Sequence, residues 1–130
     1  MLIDCGEASE ADIVLNYLQN ENIKKLDYVL GTHPHSDHMG GMNRIVENVE
    51  IGEFIMPHLP DKDVPTTRYF ENLLIALDNA DLDITEAETG DVISLGEAEV
   101  TLIAPNKEND NTNDYSVCAV LEHGKNSFIF

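Results

Sequence analysis

Basic residues and cysteine are scarce in this 130-residue sequence. Seven Lys and Arg stand against 25 Asp and Glu, which gives a formal net charge of −18 with neutral histidines. A surface so short of positive charge argues against a module that grips nucleic acid or an anionic membrane. The two cysteines, Cys5 and Cys118, lie far apart in apolar stretches, so neither a disulfide framework nor a cysteine-based zinc site is expected. We expect both thiols to pack in apolar surroundings.

The sequence also lacks a hydrophobic run long enough for a transmembrane helix. Its acidic N-terminal segment, MLIDCGEASEAD, has neither the basic head nor the apolar middle of a signal peptide. At face value we expect a soluble chain, either cytoplasmic or an extracellular domain of a longer protein. With 42% hydrophobic and 25% charged residues, it has apolar material for one core, so residues 1–130 are expected to form one domain.

Apolar periodicity predicts three alternations of strand and helix in the first 80 residues. The predicted strands cover residues 1–5, 26–32 and 51–56. The second, LDYVLGT, is rich enough in apolar residues to be buried on both faces, as a parallel strand beneath helices would be. A helix capped by Ser9 is expected after the first strand, and a short helix that includes Met42, Ile45 and Val46 after the second. A third helix, capped by Thr66 or Thr67, is expected to place four residues on its buried face: Phe70, Leu73, Leu74 and Leu77.

Five shorter strands are predicted after residue 80, separated by glycine or asparagine turn signals. They cover residues 84–87, 91–95, 100–103, 116–122 and 127–130, and a polar loop is expected at 106–114. Alternating strand–helix units followed by a strand meander predict an α/β fold, with a layered sheet that is partly antiparallel. The spread of acidic residues through 78–88 is most simply a solvated face.

Four metal-binding side chains lie within six positions, directly after the second predicted strand: His33, His35, Asp37 and His38. Residues two apart in an extended segment point to the same side, so His33 and His35 can converge on one ion, and Pro34 favours that extended geometry. Asp37 and His38 fall where the chain bends toward a glycine pair and face a second point nearby. Imidazole and carboxylate donors suit Zn²⁺, and also Mn²⁺ or Fe²⁺. The alternative is a polar surface loop that happens to be rich in histidine.

Residues 32–41, THPHSDHMGG, resemble the HxHxDH signature of the metallo-β-lactamase fold. Asp4, in the segment IDCG that ends with Gly6, resembles the strand-end aspartate that supports the metal loop in that family. In detail the chain looks closest to the competence (ComEC-type) DNA-uptake hydrolases, in which an asparagine and a serine, here Asn113 and Ser116, precede a hairpin. The resemblance implies an αββα sandwich, incomplete here: about one half plus part of the second sheet.

The same resemblance implies a role for each residue of the metal loop. His33 and His35 would hold a first metal, while Asp37 and His38 would hold a second, with Asp37 also near the attacking water as the catalytic residue. The reaction implied is hydrolysis of phosphodiester or ester bonds by a water that two ions, preferably zinc, activate. The family's bridging aspartate and last histidine would lie beyond residue 130, so the chain resembles an internal piece that is expected to be inactive alone.

Two other classes of function compete with the enzyme. A non-catalytic or degenerate metal-binding module is one, because two ligands per ion leave each site short of the usual three protein donors. A structural half-domain that pairs through exposed sheet edges is the other. His58, in a loop after the third strand, is a candidate substrate contact, although an exposed loop histidine is the commoner case. A small-molecule or nucleic-acid phosphodiester as substrate rests on the resemblance alone.

Overall fold

A parallel four-stranded sheet forms the first half of the chain in the computed structural model, which describes residues 1–103 and 112–130. Its strands, in both chain and sheet order, are β1 (Leu2–Ile3), β2 (Lys25–Leu30), β3 (Glu50–Pro57) and β4 (Ile84–Ala87). The connecting helices are α1 (Ala11–Asn20), α2 (Ser36–Met39), α3 (Met42–Asn48) and α4 (Arg68–Asn79), with a 3-10 turn at Asp61–Asp63.

A second, antiparallel sheet follows, with its strands again in chain order. They are β5 (Val92–Leu95), β6 (Ala98–Leu102), β7 (Ala119–His123) and β8 (Asn126–Ile129), and a 3-10 helix at Thr112–Tyr115 precedes β7. Most of the predicted polar loop at 106–114 lies outside the described residues. The predicted α/β class is confirmed, with helices on one face of the first sheet and the second sheet on the other.

The prediction that residues 84–87 begin the antiparallel meander is wrong. These residues form β4, which pairs in parallel with β3 and places Ile84 opposite Phe54. The reason is α4, because a helical crossover carries the chain back to the start of the sheet and lets the next strand run in the same direction.

Two hydrophobic clusters lie on opposite faces of the first sheet. Val29 and Phe54 pack with the helices, whereas their chain neighbours Leu30 and Ile55 pack against the second sheet, including Val100. Successive strand residues point to opposite faces, and all five of these side chains are at most 3% exposed. The expected burial of the second strand on both faces is therefore confirmed, and its carboxyl end is held between two packed layers.

Several local predictions are wrong. Ser9 does not cap α1: the helix begins after Glu10, whose carboxylate instead accepts the Glu7 N–H at 3.1 Å. Leu74 is 40% exposed, because it lies about 100° around α4 from Leu73, which is fully buried. Cys118 is exposed because it alternates with buried neighbours in an extended segment.

No helix in the described parts of the chain is long and apolar enough to cross a bilayer.

Candidate metal centre

The histidine-rich segment leaves β2 at the carboxyl edge of the first sheet, as expected. His35 has an extended backbone, with φ −77° and ψ 154°, and immediately precedes α2. That short helix was not predicted; it carries Asp37 and His38 through a helical turn, where the sequence indicated only a bend. The turn brings His38 back toward the residues that come before it.

All four predicted ligands lie in one cluster. The rings of His33 and His38 are 3.9 Å apart between centroids, and those of His33 and His35 are 5.0 Å apart. Asp37 joins them through its Oδ2 atom, which lies 3.8 Å from His38 Nε2. His33 is therefore central, in contact with both other rings. His33 is buried, whereas the Asp37 side chain is 68% exposed, so the cluster opens to solvent on the Asp37 side.

Asp4 anchors this cluster from the neighbouring strand end. Its Oδ1 accepts the Thr32 N–H at 2.8 Å, and its Oδ2 accepts the Thr32 hydroxyl at 2.6 Å and lies 2.7 Å from His38 Nδ1. With Nδ1 protonated toward this carboxylate, His38 keeps Nε2 as its metal-binding nitrogen, an arrangement that orients histidine ligands in metal sites. Asp4 has φ +54°, a left-handed conformation that aspartate tolerates better than most residues.

Gly6 supports the same segment through its backbone. It has φ +74°, and its carbonyl accepts the Gly41 N–H at 3.2 Å. An added Cβ would lie 2.4 Å from Glu10 Oε2, so a larger residue would displace that side chain. Beside it, the Cys5 N–H donates to the His38 carbonyl at 2.9 Å. Cys5 and Gly6 are thus bonded to the chain around the carboxyl end of α2.

Electrostatics at the cluster favour neutral His33. Burial lowers the pKa of its imidazole, and the neighbouring His38 and His35 rings lower it further. Neutral imidazole is the form that binds metal ions, so His33 is available as a ligand at neutral pH. Burial instead raises the pKa of the Cys5 thiol to about 12, so Cys5 stays protonated, and its expected role in apolar packing is confirmed.

The donor chemistry fits a divalent transition metal, since three imidazoles and a carboxylate meet beside an anchoring aspartate. The positions of these side chains fit a metal ion less completely than their chemistry does. Across residues 1–103 and 112–130, no three His, Cys, Asp or Glu side chains are placed to share one ion. The described residues therefore supply a partial donor set.

The remaining candidate residues lie on two other segments. The Ser116 hydroxyl donates to the Asn113 carbonyl at 2.7 Å, and the next residue, Val117, donates its N–H to the Thr32 carbonyl at 2.9 Å. This turn therefore packs against the start of the metal loop. His58 lies elsewhere: it is exposed, and its Nδ1 is 2.9 Å from Glu86 Oε1 on β4.

The structure adds two residues that the sequence analysis did not single out. The Thr32 hydroxyl lies 3.3 Å from His33 Nδ1 and 3.4 Å from His38 Nδ1, in addition to its bond with Asp4. Its place at the head of the histidine segment is a signal that could have identified it. The Tyr69 hydroxyl, on α4, donates to the Pro34 carbonyl. No local pattern marks Tyr69, because the contact joins residues 35 positions apart.

Comparison with known proteins places these features in a family. A family model described as the Metallo-beta-lactamase superfamily matches residues 1–106. Hydroxyacylglutathione hydrolase from Pelagibacter ubique is 40% identical over 57 residues, which are 44% of this chain and 23% of that protein.

Solved structures share the fold at low sequence identity. A HARLDQ motif mutant of a metallo-beta-lactamase from Cronobacter sakazakii superposes with a TM-score of 0.68 at 18% identity, over 98% of this chain and 51% of that one. CmlA, a diiron beta-hydroxylase from Streptomyces venezuelae, superposes with a TM-score of 0.53 at 22% identity, over 82% of this chain and 20% of that one. The matched part of the chain thus covers about half of the lactamase and less than a quarter of the hydrolase.

Proposed function

This chain belongs to the metallo-beta-lactamase superfamily, and from that membership we propose that it is a metal-dependent hydrolase. The observation that carries the proposal is the cluster of His33, His35 and His38 beside Asp37, with the Asp4 carboxylate holding His38. The match to a protein named as a hydrolase supports the same reaction class.

Each residue of the cluster has a role in this proposal. His33 and His35 are assigned to one ion, and Asp37 and His38 to a second, with zinc preferred to manganese or iron. Such ions, when bound, lower the pKa of a coordinated water toward about 7 and stabilise negative charge on the substrate. Burial keeps His33 neutral, and Asp4 orients His38. Asp37, the most exposed of the four proposed ligands, is assigned to accept a hydrogen bond from the attacking water.

The proposed substrates carry a phosphodiester or an ester bond. The resemblance of the sequence to the ComEC-type branch is the ground for proposing a phosphodiester. The relative from Pelagibacter ubique is named for hydroxyacylglutathione, so we add small acyl esters to the proposed substrates. A net charge of −18 disfavours a long nucleic acid and favours a small substrate. Asn113 and Ser116 are assigned a supporting role because their turn packs on Thr32. His58 is retained as a proposed substrate contact. A substrate that reached its ring would also meet the neighbouring Glu86 carboxylate.

A non-catalytic metal-binding module is the second candidate function. The partial donor set among the described residues favours it, because an ion held by fewer than three protein donors is weakly retained and positions water poorly. We therefore expect this chain alone to keep fewer than two ions per molecule after dialysis and to turn over substrate negligibly. If elemental analysis instead found two zinc ions retained per chain, the donors that the described residues lack would have to be supplied from elsewhere.

Hydrolysis assays on metal-loaded protein separate the two functions. The 130-residue chain and any longer natural form of it would be loaded with Zn²⁺, Mn²⁺ or Fe²⁺ and offered bis(p-nitrophenyl) phosphate, p-nitrophenyl acetate and an acylglutathione. We expect metal-dependent hydrolysis in the longer form, abolished by His35→Ala or Asp37→Ala and retained in His123→Ala, which changes an exposed histidine near Glu97. Loaded protein that hydrolyses none of the three compounds would favour the binding module. Activity that survives Asp37→Ala would refute the assigned roles.

A further inference from the structure

Tyr69 joins α4 to the peptide unit between two of the metal-loop histidines. Its hydroxyl donates to the carbonyl oxygen of Pro34, the residue that separates His33 from His35. Pro34 is fully buried, so this carbonyl lies in a part of the loop where a protein donor has to replace water.

The rest of the histidine segment is held by backbone bonds on either side of this carbonyl. Before it, the Thr32 carbonyl accepts the Val117 N–H at 2.9 Å. After it, the His35 carbonyl accepts the N–H groups of His38 and Met39 at 3.1 and 2.9 Å, which fixes α2. The Tyr69 hydroxyl therefore adds a hydrogen bond between these two points, at the residue that separates His33 from His35.

Packing restrains the Tyr69 side chain. It lies in the first turn of α4, its ring packs against the hydrophobic cluster on the helical face of the first sheet, and the next residue, Phe70, is 3% exposed. A phenol held by core packing delivers its hydroxyl with little loss of side-chain entropy.

We propose that Tyr69 is a positioning residue of the metal centre: its bond to Pro34 sets the relative orientation of His33 and His35. The proposal rests on the metal-binding function proposed above, because orientation matters when two imidazoles must meet one ion. Metal ligands need support to within about 0.5 Å, and loss of such support typically costs 10- to 100-fold in metal affinity.

The test compares Tyr69→Phe with Tyr28→Phe. Both variants remove one hydroxyl from a partly buried tyrosine, but Tyr28 lies on β2 and packs in the cluster between the two sheets, on the face of the first sheet opposite to α4. Thermal unfolding of the metal-free proteins measures the general cost of each loss. Co²⁺ and Zn²⁺ affinities, from competition with a chromophoric chelator, and the visible spectrum of bound Co²⁺ measure the site itself.

We expect Tyr69→Phe to weaken metal affinity at least tenfold and to alter the Co²⁺ spectrum, while Tyr28→Phe changes neither. NMR of the metal-free histidine rings gives a readout that does not depend on metal: His33 and His35 signals should shift or broaden in Tyr69→Phe alone. Unchanged ring signals, or unchanged metal affinity in Tyr69→Phe, would overturn the positioning role. A third outcome separates the two proposals. If the unaltered chain binds no metal but the ring signals still change in Tyr69→Phe, the proposed metal-binding function is wrong, while the orienting effect of Tyr69 on the two histidines stands.

Discussion

Asp4 is the residue on which the cluster most depends. A single carboxylate accepts two hydrogen bonds from Thr32 and contacts the His38 ring, and it does so from a left-handed backbone conformation. Few residues combine a short side chain that can contact three polar groups on two neighbouring residues with tolerance of positive φ. The position therefore demands aspartate for both its charge and its backbone.

Asp4→Asn should lower metal affinity by about 10- to 100-fold. Asparagine keeps the size and the backbone preference, but it replaces one acceptor oxygen with an amide donor, so the orienting bond to His38 and one Thr32 bond cannot both form. Chelator competition measures the change, and Asp83→Asn, at an exposed position, is the control for the loss of one charge. Equal affinities in the two variants would contradict the anchoring role.

The two thiols should differ sharply in reactivity. Burial raises the pKa of Cys5 to about 12, so at pH 8 only about one molecule in 10⁴ carries the reactive thiolate, and access is also blocked. Cys118 is exposed. Iodoacetamide treatment followed by peptide mass spectrometry should therefore label Cys118 first, with Cys5 labelled only on unfolding or as the pH approaches 12. Equal labelling rates in the folded chain would show that Cys5 is accessible.

At the scale of elements, α4 determines both the topology and the support of the site. It returns the chain for the parallel pairing of β4, buries Phe70, Leu73 and Leu77 against the first sheet, and carries Tyr69 to the metal loop. The same helix exposes Leu74. Its two adjacent leucines thus provide a direct comparison between a core position and a solvent position.

Leu73→Ala should lower the free energy of unfolding by about 2–5 kcal/mol, because it leaves a cavity where the side chain is fully buried. Leu74→Ala makes the same chemical change at a position 40% exposed and should cost no more than about 1 kcal/mol. Urea denaturation of both variants, followed by far-UV circular dichroism, measures the difference. Similar midpoints would mean that α4 does not pack on the face described.

At the scale of the whole molecule, the two sheets leave an apolar groove of about 440 Å³ on one side. It is lined by residues of β1 and of the second sheet together with Phe130. β8 is an edge strand of the second sheet, and Phe128 and Ile129 on it are 56% and 73% exposed. Unpaired strand edges with apolar side chains favour pairing with another chain.

We predict self-association through β8 that strengthens with salt. A net charge of −18 opposes contact between copies, and raising the salt from 0.1 to 1 M shortens the Debye length from about 10 to about 3 Å, which screens that repulsion. Sedimentation velocity should show association increasing over this range, and Ile129→Lys should abolish it. Ile13→Lys, an exposed position on α1, makes the same change in charge and should not. Association unaffected by Ile129→Lys would exclude the β8 edge.

The sequence by itself determined the features that depend on neighbours along the chain. Strand periodicity identified a β2 segment buried on both faces, and the spacing of His33, His35, Asp37 and His38 identified a cluster at its carboxyl end. These predictions succeed because strand and helix geometry repeats over two to four residues, so local spacing dictates which side chains share a face. The resemblance of the same segment to a family then identified the fold.

Only the tertiary structure decided what joins distant segments. Asp4 and His38 are 34 positions apart, and Tyr69 and Pro34 are 35 apart, so no periodicity in the sequence could pair them. The assignment of β4 to the first sheet and the exposure of Leu74 depended on where α4 packs. These contacts form because helices and sheets bury their apolar faces against one another. That burial depends on how distant elements pack, so local sequence patterns do not predict it.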